Sequence, residues 1–282
     1  RRWNYSRYKN KINNIYKVFI ASGNPEPPEI IGLCEVENRK VLNDLVITSP
    51  FGMYEYKILH KDSEDDRGID VAVLYNPKKI KVLGSDFVQP SFSSGAGKTR
   101  DILYMKSVSD GTDTVNLFVC HLPSKYGGAG VTEILRKEVA GTIRKLVDSI
   151  QEIDINARII ICGDMNDPPH SESISGVLKS KCYTRSDTIK NEDIYNLSCN
   201  LFPGTYKYNG IWENIDQFIV SGNLLRNEKK KDMSGVKAEI FSPEFLLEQD
   251  ETFSGNKPFR TWEGMKYKGG FSDHLPVILN VY

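Results

Sequence analysis

The chain has 282 residues, 39% of them hydrophobic, and Lys+Arg and Asp+Glu both number 37, so its formal net charge is zero. That length allows one large or two ordinary domains with a substantial core. Zero net charge argues against a blanket electrostatic grip on nucleic acid or an anionic membrane, leaving room only for a local basic groove, and no apolar run reaches the ~18 residues of a transmembrane helix.

The predicted elements run as follows. Tyr8, Ile12, Ile15, Tyr16 and Phe19 recur at helical spacing, and Gly23 follows as a stop. NPEPPE (24–29) is a stiff turn, EIIGLCEV (29–36) a buried strand ending in acid, and 38–47 a helix through Val41, Leu42 and Leu45. Five strands follow: YKILHK, IDVAVLYN, KIKVLGSDFV, DILYMKSVS and TVNLFVCHL, with NPKK and SDGTD as turns between them. Residues 131–153 form the best helix, with Ile134, Leu135, Val139, Ile143, Leu146, Val147 and Ile150 on one face. NARIIICGDMN is a further buried strand, followed by a short helix (171–179), a polar loop, GTYKYNGIW with its turn-prone Asn-Gly, and IDQFIVS. Residues 222–270 are polar and carry a basic run, NEKKKD; WEGMKYKGG (262–270) reads as a surface turn or, alternatively, a substrate-facing loop. SDHLPVILNVY closes the chain with a strand. One α/β domain on mixed sheets, over 1–282, is the economical reading.

The chain opens on RRWNYSRYKN, with no initiator Met and no signal peptide. We expect a preceding stretch of a longer precursor, so the compartment stays open and export is expected only if a signal lies upstream. Cys34, Cys120 and Cys162 end apolar runs and read as buried small hydrophobes. Cys182 and Cys199 lie in a loop-like region and either pair or stay reduced.

Chemistry gathers at strand boundaries. Glu35 ends IIGLC, His121 ends VNLFVC, Asp164 and Asn166 end RIIIC, Asp216 opens QFIV, and Asp273 with His274 opens LPVILNVY. Sites in open α/β sheets assemble on such rims. Glu35, Asp164 and Asp273 make an all-oxygen set suited to Mg²⁺, Mn²⁺ or Ca²⁺. The absence of HExxH and CxxC speaks against zinc. Two strand-end histidines suit acid–base work, and a neighbouring Asp can fix a tautomer and favour the imidazolium. Hard cation, His pair and Asn together suit attack of water on a phosphate ester. Singly, Glu35, Asp216 or His121 reads as a solvated or satisfied polar residue. It is their joint placement at strand ends that carries the functional reading.

In this order, GLCEVEN, RGIDVAVLYN, HLPS, GDMND, IDQFIVS and SDHLPVIL resemble the endonuclease/exonuclease/phosphatase superfamily, in its deoxyribonuclease I-like bacterial form, over roughly residues 29 to 282. The resemblance implies a four-layer α/β sandwich: two mixed sheets face to face, helices outside. It implies Glu35 and Asp273 as metal residues, Asp164 and Asn166 as the pair that positions the attacking water, and His274, oriented by Asp216, on the phosphoryl group. His121 matches the second histidine of the deoxyribonuclease and sphingomyelinase branches. Arg100 matches a phosphate-binding arginine more loosely and otherwise reads as a strand-edge charge. Asp70 orients His121 or caps a turn, Arg67 is a solvated loop charge or a phosphate contact, and Asp167 is turn chemistry before Pro168. The family's first strand, with its Asn near the metal, is not found before the Tyr5–Phe19 helix; without it the sheet would lack a central strand and metal affinity would suffer.

The expected activity is a Mg²⁺-dependent phosphoester hydrolase, in the first place a monomeric nuclease with nucleic acid as substrate. A phospholipid or a small sugar phosphate is the alternative substrate, a phosphatase acting on monoesters is a third reading that differs only in pocket depth, and a non-catalytic binding module is the remote one.

Overall fold

The computed structural model describes the chain apart from residues 1, 24–25, 94, 96, 110–113, 127, 186–187, 227–234 and 282, and the side chains of residues 129 and 131. The expected turns at 24–29 and 109–113 thus lie partly outside the described residues, and the basic run 227–232 lies wholly outside them.

Helix α1 (Tyr5–Ser22) starts where Asn4 Oδ1 accepts the Arg7 N–H at 2.9 Å. After it come β1 (Ile30–Val36), α2 (Arg39–Asn43) continued by a wider turn over Asp44–Thr48, β2 (Lys57–His60), β3 (Asp70–Tyr75), β4 (Ile80–Val88), β5 (Ile102–Ser109) and β6 (Val115–His121). Then follow α3 (Ala129–Ile153), β7 (Arg158–Asp164), a single-turn helix at Glu172–Val177, β8 (Ser180–Cys182), β9 (Ile194–Asn196), β10 (Tyr206–Tyr208), β11 (Ile211–Glu213) and β12 (Asp216–Ser221). Residues 222–270, illegible in sequence, hold α4 (Gly222–Arg226), β13 (Lys237–Ile240), β14 (Leu247–Gln249), β15 (Asn256–Pro258), β16 (Trp262–Glu263) and β17 (Lys266–Tyr267). Strand β18 (Val277–Asn280) ends the chain.

A seven-stranded mixed sheet in the order β4-β5-β6-β7-β12-β9-β8 faces a second layer made of β1-β3-β2 and β13-β18. Alternation along each strand produces the layering. On β6, Leu117 and Val119 meet Val71 and Val73 of β3 between the sheets, while Phe118 and Cys120 turn outward onto Val139, Ile143 and Val147 of α3. On β3, Ala72 and Leu74 face the opposite way, onto Ile12 and Phe19 of α1 and onto Phe51. Three apolar seams therefore separate four layers, helix–sheet–sheet–helix, as the resemblance implied. Among the described residues no strand joins β1 to β18, and none precedes α1.

Several expectations are corrected. Strand β1 is half-exposed rather than buried, because only its β3 edge is paired. Ile134 is exposed, and the buried face of α3 instead runs through Thr132, Arg136, Val139, Ala140, Ile143 and Val147. Of the two readings left open for Cys182 and Cys199, the structure has the disulfide, and Cys34, Cys120 and Cys162 are free as expected. Residues 262–270 form the β16–β17 hairpin, which packs on α1 and the residues just before it: Trp3 meets Trp262 at 5.6 Å, and Asn10 of α1 donates to Tyr267 Oη at 3.0 Å.

The β10–β11 hairpin is pinned from below. Lys207 Nζ, buried, lies 2.9 Å from Asp250 Oδ2 and donates to Ser254 O and Asn256 O. The Lys207 hydrogen bond, helped by the Phe253 and Thr252 N–H groups, pulls Asp250 down to about 2. A depressed carboxylate contributes stability that is complete above its unfolded value, about 4, and is lost as pH falls toward the folded value. The gap in Tm between the native protein and Asp250→Asn should therefore close between about pH 4 and pH 2, read by thermal melts at each pH. A gap that does not change across that window would count against this pairing.

Candidate active site

The hydrogen-bond registers of three adjacent strands set the chemistry. Parallel pairing of β6 with β7 puts His121 opposite Asp164, and antiparallel pairing of β7 with β12 puts Asp216 opposite Asp164. His274 joins them through a bridge with Tyr206. Five of the expected residues thus meet on one rim: His121, Asp164, Asn166, Asp216 and His274. Ligand atoms of Asp164, Asp216 and His274 all lie within 4.8 Å of one another.

Gly163 is required locally. Its φ is +131°, and a Cβ there would stand 1.9 Å from Cys120 O, so the strand pair could not close on any larger residue. Past Asp164, Asn166 sits at φ +50°, a left-handed conformation that Asn tolerates better than most residues. Its N–H donates to Asp164 Oδ1 at 2.8 Å and its Nδ2 to Leu122 O at 2.9 Å. The side-chain Oδ1 is the acceptor left for a substrate-side hydrogen. Glu35 occupies a second strained position, φ +58°, inside the irregularity of β1 between Leu33 and Val36. Bulges of this kind re-aim a side chain; Glu35 is exposed and meets Arg67 Nη2 at 3.2 Å.

The two histidines are set to opposite charge states. Burial acts to lower His274, but the charge and hydrogen bond of Asp216 outweigh it, and with Asp164 and Asp273 adding to them His274 is pushed up to about 10. Its Nδ1 donates to Asp216 Oδ2 at 2.8 Å, leaving Nε2 as the second proton-bearing nitrogen. His121 is held well below its usual value by burial, then by Arg100, Arg67 and His274. It is therefore a neutral imidazole, with Nε2 3.4 Å from Asp164 Oδ2 and Nδ1 buried without a partner among the described residues. Asp164 is pushed up by burial and by the charge of Asp216, with Glu35 adding; His274 and the Asn166 N–H oppose this. A buried carboxylate raised in this way is a competent proton acceptor near neutral pH.

Other expected residues stand elsewhere. Arg100 is buried rather than a surface charge: Nη1 pairs with Asp65 Oδ2 at 3.0 Å and Nη2 donates to Leu122 O at 2.7 Å. It shares that carbonyl with Asn166 and so fixes the turn after β6. Arg67 stands solvated, as expected of a loop charge, and its exposed guanidinium also meets Glu35 Oε1 at 3.2 Å. Asp70 does not orient His121; it meets His60 Nε2 at 3.1 Å and accepts from Ser63. Asp167 is not turn chemistry; it is buried against Arg136 Nε at 2.7 Å. Asp273 is exposed beside His274.

Sequence reasoning missed three residues. Lys11, on α1, sends its ammonium to Phe271 O and Thr261 Oγ1; burial lowers its pKa, while Asp273 and Glu35 act in the opposite sense. Its signal was present, since Lys11 falls within the apolar stripe of Tyr8, Ile12 and Ile15. Tyr206 has its ring centroid 4.8 Å from that of His274, and Arg260 stands over Tyr206 at 5.8 Å. Arg260 lies in the unread segment and had no sequence signal.

Among the described residues the ligand atoms that come within 4.8 Å of one another on this rim are those of Asp164, Asp216 and His274. Carboxylate oxygens are donors that suit a hard divalent cation, and the buried thiols of Cys120 and Cys162 carry pKa values raised by burial.

The model of the endonuclease/exonuclease/phosphatase family matches residues 1–282. No curated protein matches the chain in sequence. Among solved structures, a mannosyl-6-phosphatase of Bacteroides thetaiotaomicron has a TM-score of 0.62 at 16% identity, covering 97% of this chain and 91% of the other. A beta toxin mutant of Staphylococcus aureus with bound magnesium ions has a TM-score of 0.60 at 16% identity, covering 99% and 93%. Truncated TDP2 of Caenorhabditis elegans has a TM-score of 0.60 at 16% identity, covering 98% and 91%. At such identities the likeness shows the fold alone, the layered α/β sandwich described above.

Proposed function

Since the chain belongs to the endonuclease/exonuclease/phosphatase family, a family of phosphoester hydrolases, we propose that it hydrolyses a phosphate ester by in-line attack of water on phosphorus. The observation that carries this reading is the His274–Asp216 pair, 2.8 Å apart, on the same rim as buried Asp164. Asp164 takes the proton of the attacking water, and Asn166 Oδ1 accepts that water's other hydrogen. As the new P–O bond forms, the bond to the leaving oxygen breaks, and imidazolium His274 gives its Nε2 proton to that oxygen. Neutral His121 stays beside Asp164 and keeps it from solvent. Glu35 and Asp273 would hold a Mg²⁺, or Mn²⁺ or Ca²⁺. Such a cation supplies charge neutralisation for the phosphoryl oxygens.

Within this class the pair of histidines favours a nucleic-acid phosphodiester. A smaller ester is the second reading. It is favoured by the zero net charge and by Arg100, whose Nη atoms are tied to Asp65 and Leu122 O rather than presented along an open groove. The Cys182–Cys199 bridge supports an oxidising compartment.

Supercoiled plasmid and bis(p-nitrophenyl) phosphate, each with Mg²⁺ or with EDTA, test both readings. Mg²⁺ should also raise Tm by a few degrees, as any ligand of the folded state does, and Glu35→Gln should abolish that shift. A folded protein that takes up Mg²⁺ and cleaves neither ester would overturn the nuclease reading. One that shows no Mg²⁺-linked stabilisation would return the chain to a non-catalytic module.

A further inference from the structure

The geometry points to a sugar-binding platform beside His274, built from Tyr206, Tyr208 and Arg260, that takes the ring attached to the scissile phosphate. The inference rests on the phosphoester reading and deepens it by naming the group that the ester must carry.

Tyr206 and Tyr208 are two residues apart on β10 and so share one face. Their rings are parallel within 8°, with centroids 6.4 Å apart. Tyr206 is the inner ring, tilted 40° to His274 at 4.8 Å. Tyr208 is the outer one, 61% exposed, so the pair runs from the His274 side toward solvent. Arg260 lies over Tyr206 at 5.8 Å, and its Nη2 donates to Lys207 O at 3.0 Å. Its Nη1 makes no hydrogen bond among the described residues and, unlike Nε, is not buried. A guanidinium with an unspent outer donor, beside an aromatic ring, is a pairing that reads ring hydroxyls and oxygens.

If Tyr206 served only to pack His274, neither Tyr208 nor the unspent Arg260 donor would be accounted for. Tyr208 is also held firmly. Lys207, between the two tyrosines, points to the opposite side and is locked by Asp250, Ser254 O and Asn256 O. The turn at Asn209 and Gly210, with φ of +48° and +81°, closes the hairpin tightly. The platform is therefore rigid before any ligand arrives, which reduces the ordering cost of binding.

Distance selects the ligand. A group stacked on Tyr206 is in van der Waals reach of the phosphate held by His274, so it is the group bonded directly to the ester oxygen. A sugar ring fits there, with its C–H face on the tyrosine and its hydroxyls toward Arg260. A choline headgroup also stacks on tyrosine rings, but its quaternary ammonium would be repelled by the Arg260 guanidinium over Tyr206, and a glycerol headgroup has no ring to place. A nucleobase, one unit further out, would fall at Tyr208. Hexose phosphates and nucleotides share the sugar–phosphate unit, and the test separates them.

Calorimetric titrations of the full chain with Mg²⁺ would use non-hydrolysable phosphonates: methylphosphonate, the isostere of glucose 6-phosphate and the isostere of thymidine 5′-monophosphate. The sugar-bearing phosphonates should bind about tenfold more tightly than methylphosphonate. Tyr208→Ser and Arg260→Gln should each remove most of that preference while leaving methylphosphonate affinity unchanged. Equal binding of the thymidine and hexose isosteres supports a platform that reads the sugar alone; tighter thymidine binding supports one extended to a base on Tyr208. Equal affinity of all three probes in the native protein overturns the platform and leaves the phosphoester reading standing. Variants that weaken methylphosphonate as much as the sugars also overturn it, since that is the signature of a structural role. If no phosphonate binds, the platform and the phosphoester reading fall together.

Discussion

His274→Ala should lower turnover by about 10²-fold or more, the usual worth of a positioned acid together with an electrostatic contact to the transition state. The size of the effect follows from the environment of the ring. With Nδ1 committed to Asp216 at 2.8 Å and its pKa pushed up to about 10, the imidazolium is fully formed at neutral pH, and in the proposed reaction its Nε2 proton goes to the leaving oxygen. Removing it leaves the developing charge on that oxygen without a proton or a counter-charge. Asp216→Asn isolates the second contribution. It keeps the size of the partner but withdraws the negative charge that raises His274. The pKa then drops, and the alkaline limb of the kcat profile moves to lower pH, with kcat at neutral pH falling less than in His274→Ala. The comparison needs pH–rate profiles of the three proteins, with near-UV spectra to show that each is folded. Activity retained in His274→Ala would remove this residue from the chemistry. An unmoved alkaline limb in Asp216→Asn would break the link between the pair.

The site was legible because its residues lie where periodicity changes. Asp164 follows RIIIC, an alternating run whose Ile159 and Ile161 face α3 while Cys162 faces the other sheet, so the end of the run had to reach a rim. His121 and Asp216 follow the same rule on the neighbouring strands, and pairing register then aligned all three. What stayed hidden depended on partners far apart in the chain. Asp70 read as a partner of His121 or a turn cap, yet it is buried on His60, and Arg67, read as a solvated charge or a phosphate contact, reaches Glu35 across 32 positions. Arg100 was ambiguous because its partner, Asp65, comes 35 residues earlier, on a loop with no periodicity. Strand β1 carries a core-like sequence but has only one hydrogen-bonded neighbour among the described residues. Segment 222–270 defeated sequence reading because its strands have only two to four residues, too short for an alternating pattern to stand out from chance. Arg260 lies in that segment.

Asp167→Ala should destabilise the fold by about 3–5 kcal/mol, the range for removing one partner of a buried ion pair. Asp167 Oδ2 accepts from Arg136 Nε at 2.7 Å and from Ser173 Oγ at 2.6 Å, and its backbone carbonyl accepts from Gln217 Nε2 at 2.7 Å. Arg136 is as deeply buried as Asp167, and its Nη1 reaches Pro123 O and Thr132 Oγ1. Without Asp167, a guanidinium remains in the interior between α3 and the sheet with no anion to meet it, and that uncompensated charge is the main cost. The strength of the pair itself contributes less. This separates two explanations that predict different results for the double variant. If the stranded charge dominates, Arg136→Met with Asp167→Leu recovers much of the loss, because two apolar side chains fill the space without a charge. If the hydrogen bonds dominate, the double variant is no more stable than Asp167→Ala. Urea unfolding of the single and double variants decides between them, with equal m-values needed for the comparison. A loss below about 1 kcal/mol in Asp167→Ala would mean that solvent reaches Arg136, as at an exposed pair. The position has a functional side as well. Asp167 adjoins Asn166, which is held at φ +50° between Asp164 and Leu122 O. Loosening this anchor should let that left-handed turn relax, so turnover should fall in Asp167→Ala even at temperatures where the protein stays folded.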